Sequence, residues 1–149
     1  MPQSLSQVLV HMVYSTKGRT PNIRTELQPR LHAYLSTVLA NDGHIPIIVG
    51  GHLDHVHMLF GLSRTITIAK AVESSKTSSS RWMKEEFGVS DFGWQHGYGA
   101  FSVSPSDQEV CVAYIANQES HHKVFSFQDE FRTLLEEFGV SYDERYVWD

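Results

Sequence analysis

A seven-residue stretch, DHVHMLF at positions 54–60, limits what this chain can fold into more than any other segment. Side chains alternate between the two faces of a β-strand. Val56, Met58 and Phe60 therefore share one face, which predicts burial against a core, whereas His55 and His57 share the other. A strand with one apolar face and one imidazole-bearing face is a plausible platform for a metal ion.

The flanking segments extend this strand into a definite order of elements. Alternating apolar residues predict strands, and an apolar repeat of about 3.6 residues predicts helices. The predicted strands span 7–16, 44–51, 55–62 and the part of 93–104 from Tyr98 onward, and the predicted helices span 24–43, 67–87, 104–122 and 126–139. The first six elements follow the order β-α-β-β-α-β. This order is typical of the ferredoxin-like (RRM-like) fold, an antiparallel four-stranded sheet with two helices on one face.

The fold class is therefore predicted to be α+β, as one domain over residues 1–149 with additional carboxyl-terminal helices. In the helix at 67–87, Ile68, Val72 and Trp82 are expected to point inward, and the SSKTSSS run has poor helix propensity. In the last helix, Ser126 is expected to be the N-cap, with an acidic residue three positions later that resembles a capping box.

The composition limits the number of domains and the cellular compartment that we expect for the protein. A length of 149 residues fits one domain with a substantial core. Cys111 is the single cysteine, which excludes an intrachain disulfide and fits a reducing compartment. The sequence lacks both an apolar run of membrane-spanning length and a basic signal-peptide start. These features predict a cytoplasmic location and no membrane partner.

The net charge of −5 hides an asymmetry between the two halves of the chain. Residues 1–84 contain nine Lys and Arg against four Asp and Glu, whereas residues 85–149 contain three against thirteen. A basic amino-terminal half favours contact with nucleic acid. An ordinary solvated surface explains the same counts equally well.

The helix predicted at 104–122 adds further polar groups. Tyr114 and Gln118 are four residues apart and therefore share a helical face, which His121 continues. A catalytic metal takes about three protein ligands, so the two strand histidines alone are too few. A phenol and an amide oxygen aimed at these histidines would place a nucleophile beside a metal. Mixed nitrogen and oxygen ligands suit Mg²⁺ or Mn²⁺, and imidazoles alone also accept Zn²⁺.

Each of these features has a simpler explanation. A His-x-His pair in a strand is more often a surface or structural feature than a metal site. Tyr114 fits equally well as a core aromatic residue. His121 and His122 are well placed to stabilise the carboxyl end of a helix, where imidazolium complements the helix dipole.

In combination, the motifs resemble those of the HUH-type single-tyrosine transposases of small single-strand insertion sequences. His55-Val56-His57 matches the His-hydrophobic-His motif of that family, and the tyrosine and glutamine of YIANQ match its catalytic helix. Three further segments are similar to members of the family: VYSTKGR, WQHGYGAFSVS and DERYVWD. The chain is also similar to relatives associated with repeated extragenic palindromes.

The resemblance implies a metal-dependent single-strand endonuclease and strand transferase that recognises DNA hairpins at insertion-sequence ends. His55, His57 and Gln118 would hold a divalent cation, Mg²⁺ or Mn²⁺, against the scissile phosphate. Tyr114 would attack phosphorus, giving a 5′-phosphotyrosine link and a free 3′-hydroxyl. The resemblance also implies a homodimer, in which the tyrosine helix serves its own site or its partner's. An exposed, Val-rich first strand would be compatible with such pairing.

Because the chain is acidic overall, DNA binding would depend on local basic patches. The candidates for phosphate contacts are Lys17, Arg19, Lys70, Lys76, Arg81 and Lys84, together with the Ser/Thr run at 77–80. Trp82, Trp94 or Tyr98 are candidates for stacking on an unpaired base. His121 and His122 match no essential family position and are left outside the metal set.

Two other functions compete with the transposase. The first is a ferredoxin-like module that binds hairpin DNA or RNA without cutting it, which would have no need of Tyr114 beside Gln118. The second is a small metal-dependent hydrolase that activates water. It needs a carboxylate base near the metal, and Asp54 is the only obvious one near the histidines in sequence.

Overall fold

The computed structural model describes residues 2–149 and contains one antiparallel sheet. Its strands are β1 (Leu9–Ser15), β2 (Ile45–Gly51), β3 (His55–Gly61) and β4 (Gly99–Val103). They are arranged in the order β2-β3-β1-β4, and all neighbouring pairs are antiparallel. The helices are α1 (Gln28–Asn41), α2 (Ile68–Phe87), α3 (Gln108–Ala116), α4 (Gln118–His121) and α5 (Phe127–Glu137). The predicted α+β, ferredoxin-like arrangement is confirmed.

One face of the sheet, called the core face below, packs against α1 and α2. Its side chains are Val10, Met12, Tyr14, Val56, Met58 and Phe60. All are at most 3% exposed, and they join apolar residues of both helices in one continuous cluster. The alternation read from DHVHMLF is therefore correct.

The polar centre of α2 is explained by contacts inside this cluster. Tyr14 Oη lies 3.0 Å from Ser75 Oγ, and Trp94 Nε1 donates to Ser79 Oγ at 2.9 Å. The small hydroxyls therefore satisfy aromatic polar atoms that the core would otherwise leave without partners. The inward prediction is right for Val72 but wrong for Ile68, which is 37% exposed because it lies in the first turn of the helix.

The first strand is not exposed, contrary to expectation. β1 pairs with β3 on one side and β4 on the other, and all seven of its residues are buried. The sheet edges are β2 and β4. The Val-rich composition of β1 therefore reflects burial on both faces rather than a surface for a second copy.

The opposite face of the sheet, called the site face below, presents His11, His55 and His57 to α3, α4 and α5. A glycine sets how closely α3 approaches this face. A Cβ added at Gly50 of β2 would lie 2.7 Å from the carbonyl oxygen of Ile115 in α3, which is closer than real Cβ contacts. Gly50 therefore lets the backbone of α3 rest directly on the sheet.

Candidate active site

The two histidines of β3 are fully buried under α4 and α5 rather than displayed on a surface. Each has its Nδ1 held by a different neighbour. His55 Nδ1 lies 2.8 Å from Asp54 Oδ1, and His57 Nδ1 lies 2.8 Å from Nε2 of His11 on β1. With Nδ1 fixed in this way, both Nε2 atoms are aimed toward the helices, as in a metal site whose ligands are oriented by outer hydrogen bonds.

The helix predicted over 104–122 is broken at Asn117, between α3 and α4. Tyr114 ends up on α3 and Gln118 begins α4, and both still face the histidines. Gln118 Oε1 lies 2.9 Å from His55 Nε2 and 2.8 Å from His122 Nε2. The break turns the chain so that His122 joins Gln118 at His55.

A carboxylate from α5 occupies the centre of the site. Glu130 is 3% exposed. Its Oε1 lies 2.8 Å from His57 Nε2 and 3.3 Å from His122 Nε2. Its Oε2 accepts hydrogen bonds from the Tyr114 hydroxyl and, at 3.0 Å, from Gln118 Nε2. Glu130 thus touches both the histidines and the tyrosine.

We call five of these residues the polar cluster: His55, His57, Gln118, His122 and Glu130. One donor atom from each of the three histidines and Glu130 lies within 4.8 Å of all the others. Ligand atoms around a single ion with bonds of about 2.1 Å lie about 3–4 Å apart. The donor spacing and chemistry therefore fit a divalent metal ion.

The ionisation of the cluster follows from burial and close contacts. Burial opposes the charged form of His55, but the hydrogen bonds that its ring donates to Asp54 and Glu130 raise its pKa to about 9. Burial lowers the pKa of His57 despite its contact with Glu130. Burial would raise the pKa of Glu130, but hydrogen bonds from His122, His55 and His57 hold it well below its usual range.

The surroundings favour the charged form of Glu130 but disfavour the charged form of Tyr114. Burial and the adjacent Glu130 raise the pKa of Tyr114 above its usual range. A phenolate is therefore disfavoured here unless positive charge arrives beside it. Tyr114 and Glu130 also line a cavity of about 540 Å³ between α3, α5 and β4, which gives a ligand access to the hydroxyl.

These contacts test the simpler explanations of the motifs. The His-x-His pair is not a surface feature, since both side chains are buried beneath polar groups. Tyr114 is only partly buried, and its hydroxyl has a charged partner. His122 does more than end a helix, since its Nε2 contacts Gln118 and Glu130.

Sequence reasoning missed Glu130, His122 and His11 as members of the site. One signal for Glu130 was available. Ser126 caps α5 as predicted, accepting a hydrogen bond from the Asp129 backbone. The buried stripe of that helix is Phe127, Glu130, Phe131, Leu134 and Leu135. A glutamate inside an apolar stripe is rarely buried without a partner.

The six candidate phosphate contacts differ in their exposure and in their partners. Lys17, Arg81 and Lys84 are exposed, and no acidic side chain pairs with them within residues 2–149. Lys70 is exposed and pairs with Glu73 at 3.3 Å. Arg19 is partly buried, with its guanidinium over the Trp148 ring.

Lys76 is already engaged by the protein. Its ammonium group donates to the backbone carbonyls of Gln95, His96 and Gly97 at 2.7–3.1 Å. It therefore tethers α2 to the segment before β4. Among the aromatic candidates, Trp94 is buried, Trp82 stacks on Tyr34, and Tyr98 is 40% exposed. Tyr98 is thus the most accessible of the three to a base.

Comparison with known proteins assigns the class. A family model described as "Transposase IS200 like" matches residues 4–118, which include both strand histidines, Tyr114 and Gln118. The chain belongs to the IS200-like transposase family. It is therefore a transposase, a member of a class of DNA-cleaving enzymes that act in DNA recombination.

Two solved structures share the fold. One is a candidate transposase from Deinococcus radiodurans R1, with 23% identity, a TM-score of 0.64, and coverage of 79% of this chain and 98% of that one. The other is a REP-associated tyrosine transposase bound to a REP hairpin, with 13% identity, a TM-score of 0.60, and coverage of 82% and 72%. No curated protein matches the chain. None of the helices between residues 2 and 149 combines the length and apolar character that crossing a membrane requires.

Proposed function

We propose that residues 1–149 act as one single-tyrosine transposase domain that cuts and rejoins single-stranded DNA at insertion-sequence ends. The observation that carries this proposal is the Tyr114 hydroxyl, which lies beside the buried polar cluster and lines an accessible cavity. The Tyr114 oxygen bonds to phosphorus as the bond from phosphorus to the 3′-oxygen breaks. The phenol loses one proton and the 3′-oxygen gains one, so cleavage needs no other reactant. A 3′-hydroxyl reverses the step and joins DNA.

The proposed metal ligands are His55, His57 and Gln118, with His122 from the turn before α5 as an additional donor and the Glu130 carboxylate of α5 beside them. When bound, the cation would stabilise charge on the phosphate and favour the Tyr114 phenolate. Imidazole ligands suit Mn²⁺ better than Mg²⁺, which prefers oxygen. Of the two expected ions, the three imidazoles of the cluster therefore favour Mn²⁺.

Hairpin recognition and dimer formation are also proposals. The structurally similar REP-associated enzyme is bound to a hairpin, which supports a hairpin ligand here. The exposed cations Lys17, Arg81 and Lys84 belong to the basic half of the chain and are available to phosphates. A homodimer would use surfaces other than β1, and the tyrosine helix could then serve either copy's site.

One observation favours a second function, that of a hydrolase. This alternative needed a carboxylate near the metal, and Glu130 supplies one at 2.8 Å from His57. Water would then replace Tyr114 as the attacking group. A hairpin-binding module without catalysis is less well supported, because it gives no reason for a buried cluster of this composition.

A covalent-adduct assay separates these functions. The protein is incubated with Mn²⁺ and labelled single strands from the flanks of its own gene, then denatured and run on a protein gel. We expect a labelled protein band that depends on metal and disappears in Tyr114→Phe. Tyr98→Phe and Tyr146→Phe are matched controls and should keep the band. Cleavage without any band identifies a hydrolase, and binding without cleavage identifies a binding module.

A further inference from the structure

Glu130 lies outside residues 4–118, the segment that matches the family model, yet its carboxylate touches both halves of the site. We propose that Glu130 is a positioning residue that holds the Tyr114 hydroxyl in place next to the metal ligands. This inference rests on the proposed function, in which Tyr114 is the nucleophile. It extends the site to α5, an element to which neither motif belongs.

The two carboxylate oxygens of Glu130 have separate partners. Oε1 faces the histidines, at 2.8 Å from His57 Nε2 and 3.3 Å from His122 Nε2. Oε2 accepts hydrogen bonds from Tyr114 and Gln118, and it also lies 3.3 Å from His121 Nε2. One rigid, planar group therefore fixes the distance between the tyrosine oxygen and the imidazoles.

The carboxylate has little freedom to move away. Phe127 and Phe131 anchor α5 on either side of Glu130, and both are buried in the apolar cluster under β4. Ser126 caps the helix one turn before Glu130. The backbone that carries the carboxylate is thus fixed by apolar packing, which includes a contact of 4.7 Å between the ring centroids of Phe127 and His55.

The tyrosine oxygen, by contrast, depends on this one contact. Within residues 2–149 the Tyr114 hydroxyl makes one hydrogen bond, to Glu130. The edges of neighbouring rings, including His57 and His121 at 5.7 and 5.6 Å between centroids, bound the phenol ring without holding its oxygen. Misplacing a reacting atom by about 1 Å costs on the order of 100-fold in rate.

A purely electrostatic role for Glu130 makes a different prediction. In that case the carboxylate only compensates the charge of the surrounding histidines, and its distance from Tyr114 is unimportant. Glu130→Gln keeps the position but removes the charge. The donors Tyr114 Oη and Gln118 Nε2 favour the amide oxygen at the Oε2 position, and the amide nitrogen would face His57. Glu130→Asp keeps the charge but withdraws the carboxylate by one methylene group.

The experiment measures single-turnover adduct formation at saturating DNA and Mn²⁺, together with DNA affinity. We expect Glu130→Asp to be slower by roughly 100-fold and Glu130→Gln by no more than about 10-fold, with DNA affinity unchanged in both. Glu136→Gln, an exposed neighbour on α5, should remain within about twofold of wild type. Glu130→Asp that is as fast as Glu130→Gln, or faster, overturns the positioning role. Wild-type protein that forms no adduct contradicts the proposed function itself.

A second measurement uses the protein without DNA or metal. Removing the Tyr114 hydroxyl should lower the unfolding temperature in the wild-type background, because a hydrogen bond to a charged partner is lost. In the Glu130→Asp background the same Tyr114→Phe change should lower it clearly less, because the bond is already broken. An equal shift in both backgrounds overturns the inference, whatever the activity.

Discussion

The two faces of the sheet are built from the same strands but differ in what they bury. The core face contains one continuous apolar cluster shared with α1 and α2. The site face contains two smaller apolar clusters, with buried histidines, Gln118 and Glu130 in addition. Buried polar groups stabilise a fold weakly even when they are paired, whereas buried apolar area stabilises it strongly. The core face therefore supplies most of the stability, and the site face holds the residues of the proposed chemistry.

The largest effect expected from this division is on the site face. His57→Ala removes a proposed metal ligand, and we expect cleavage to fall by roughly 1,000-fold, with DNA affinity nearly unchanged. The unfolding temperature should fall but leave the protein folded, because the buried Glu130 carboxylate loses its contact with His57 Nε2. The measurements are single-strand cleavage with Mn²⁺ and thermal unfolding. Full cleavage would remove His57 from the metal site, and an unfolded variant would show that the polar cluster is also needed for the fold.

The converse change tests the core face. Leu35 of α1 is 0% exposed within the apolar cluster, so Leu35→Ala should cost about 3 kcal/mol of unfolding free energy through lost contacts and a cavity. Adduct formation per folded molecule should stay at the wild-type level. Denaturant unfolding and active-site titration of the folded fraction check both statements. A specific loss of activity would show that the two faces are coupled.

A smaller effect is expected from His32, a partly buried histidine of α1, one of the two helices that cover the core face. Burial, with His55 nearby, lowers the pKa of His32 on α1 from 6.5 to about 4. Its contribution to stability is therefore present above pH 6.5 and is lost as the pH falls toward 4, because the unfolded chain binds the proton more readily. His32→Gln should reduce the stability lost between pH 7 and pH 5 by about 1–2 kcal/mol. The exposed His96→Gln is the control, and equal acid sensitivity in both variants would contradict the prediction.

The smallest effect concerns the asymmetric surface charge. Lys84→Ala should weaken hairpin binding a few-fold and reduce the slope of log affinity against log salt by about 1. Arg145→Ala, in the acidic half and paired with Asp143 at 2.8 Å, should change neither quantity. Binding titrations at several salt concentrations measure both. An unchanged slope for Lys84→Ala would place the DNA elsewhere.

The sequence predicts the sheet well because the alternation of a strand is visible in a few neighbouring residues. Alternation in DHVHMLF decides which residues face the core, and Ser126 marks the start of α5 as expected. The break at Asn117 was not predicted, because Tyr114, Gln118 and His121 keep helical spacing across it. The apolar stripe of α5 signals that Glu130 is buried, but the partners of Glu130 and His122 could not be placed, for a different reason. Their role depends on how α4 and α5 fold back over the histidines, a tertiary arrangement that no spacing in the sequence records.

Gly50 has a consequence for how the chain tolerates mutation. It has no side chain that could take part in catalysis, and it lies on an edge strand. Any larger residue there would lift α3 from the sheet, since a Cβ would meet the Ile115 carbonyl at 2.7 Å. Tyr114 is the residue just before Ile115, so the proposed nucleophile would move with the helix. If every position were mutated and transposition measured, Gly50 would therefore tolerate substitution as poorly as His57. Conservation of Gly50 would reflect the distance between α3 and the sheet and not a chemical role of the residue.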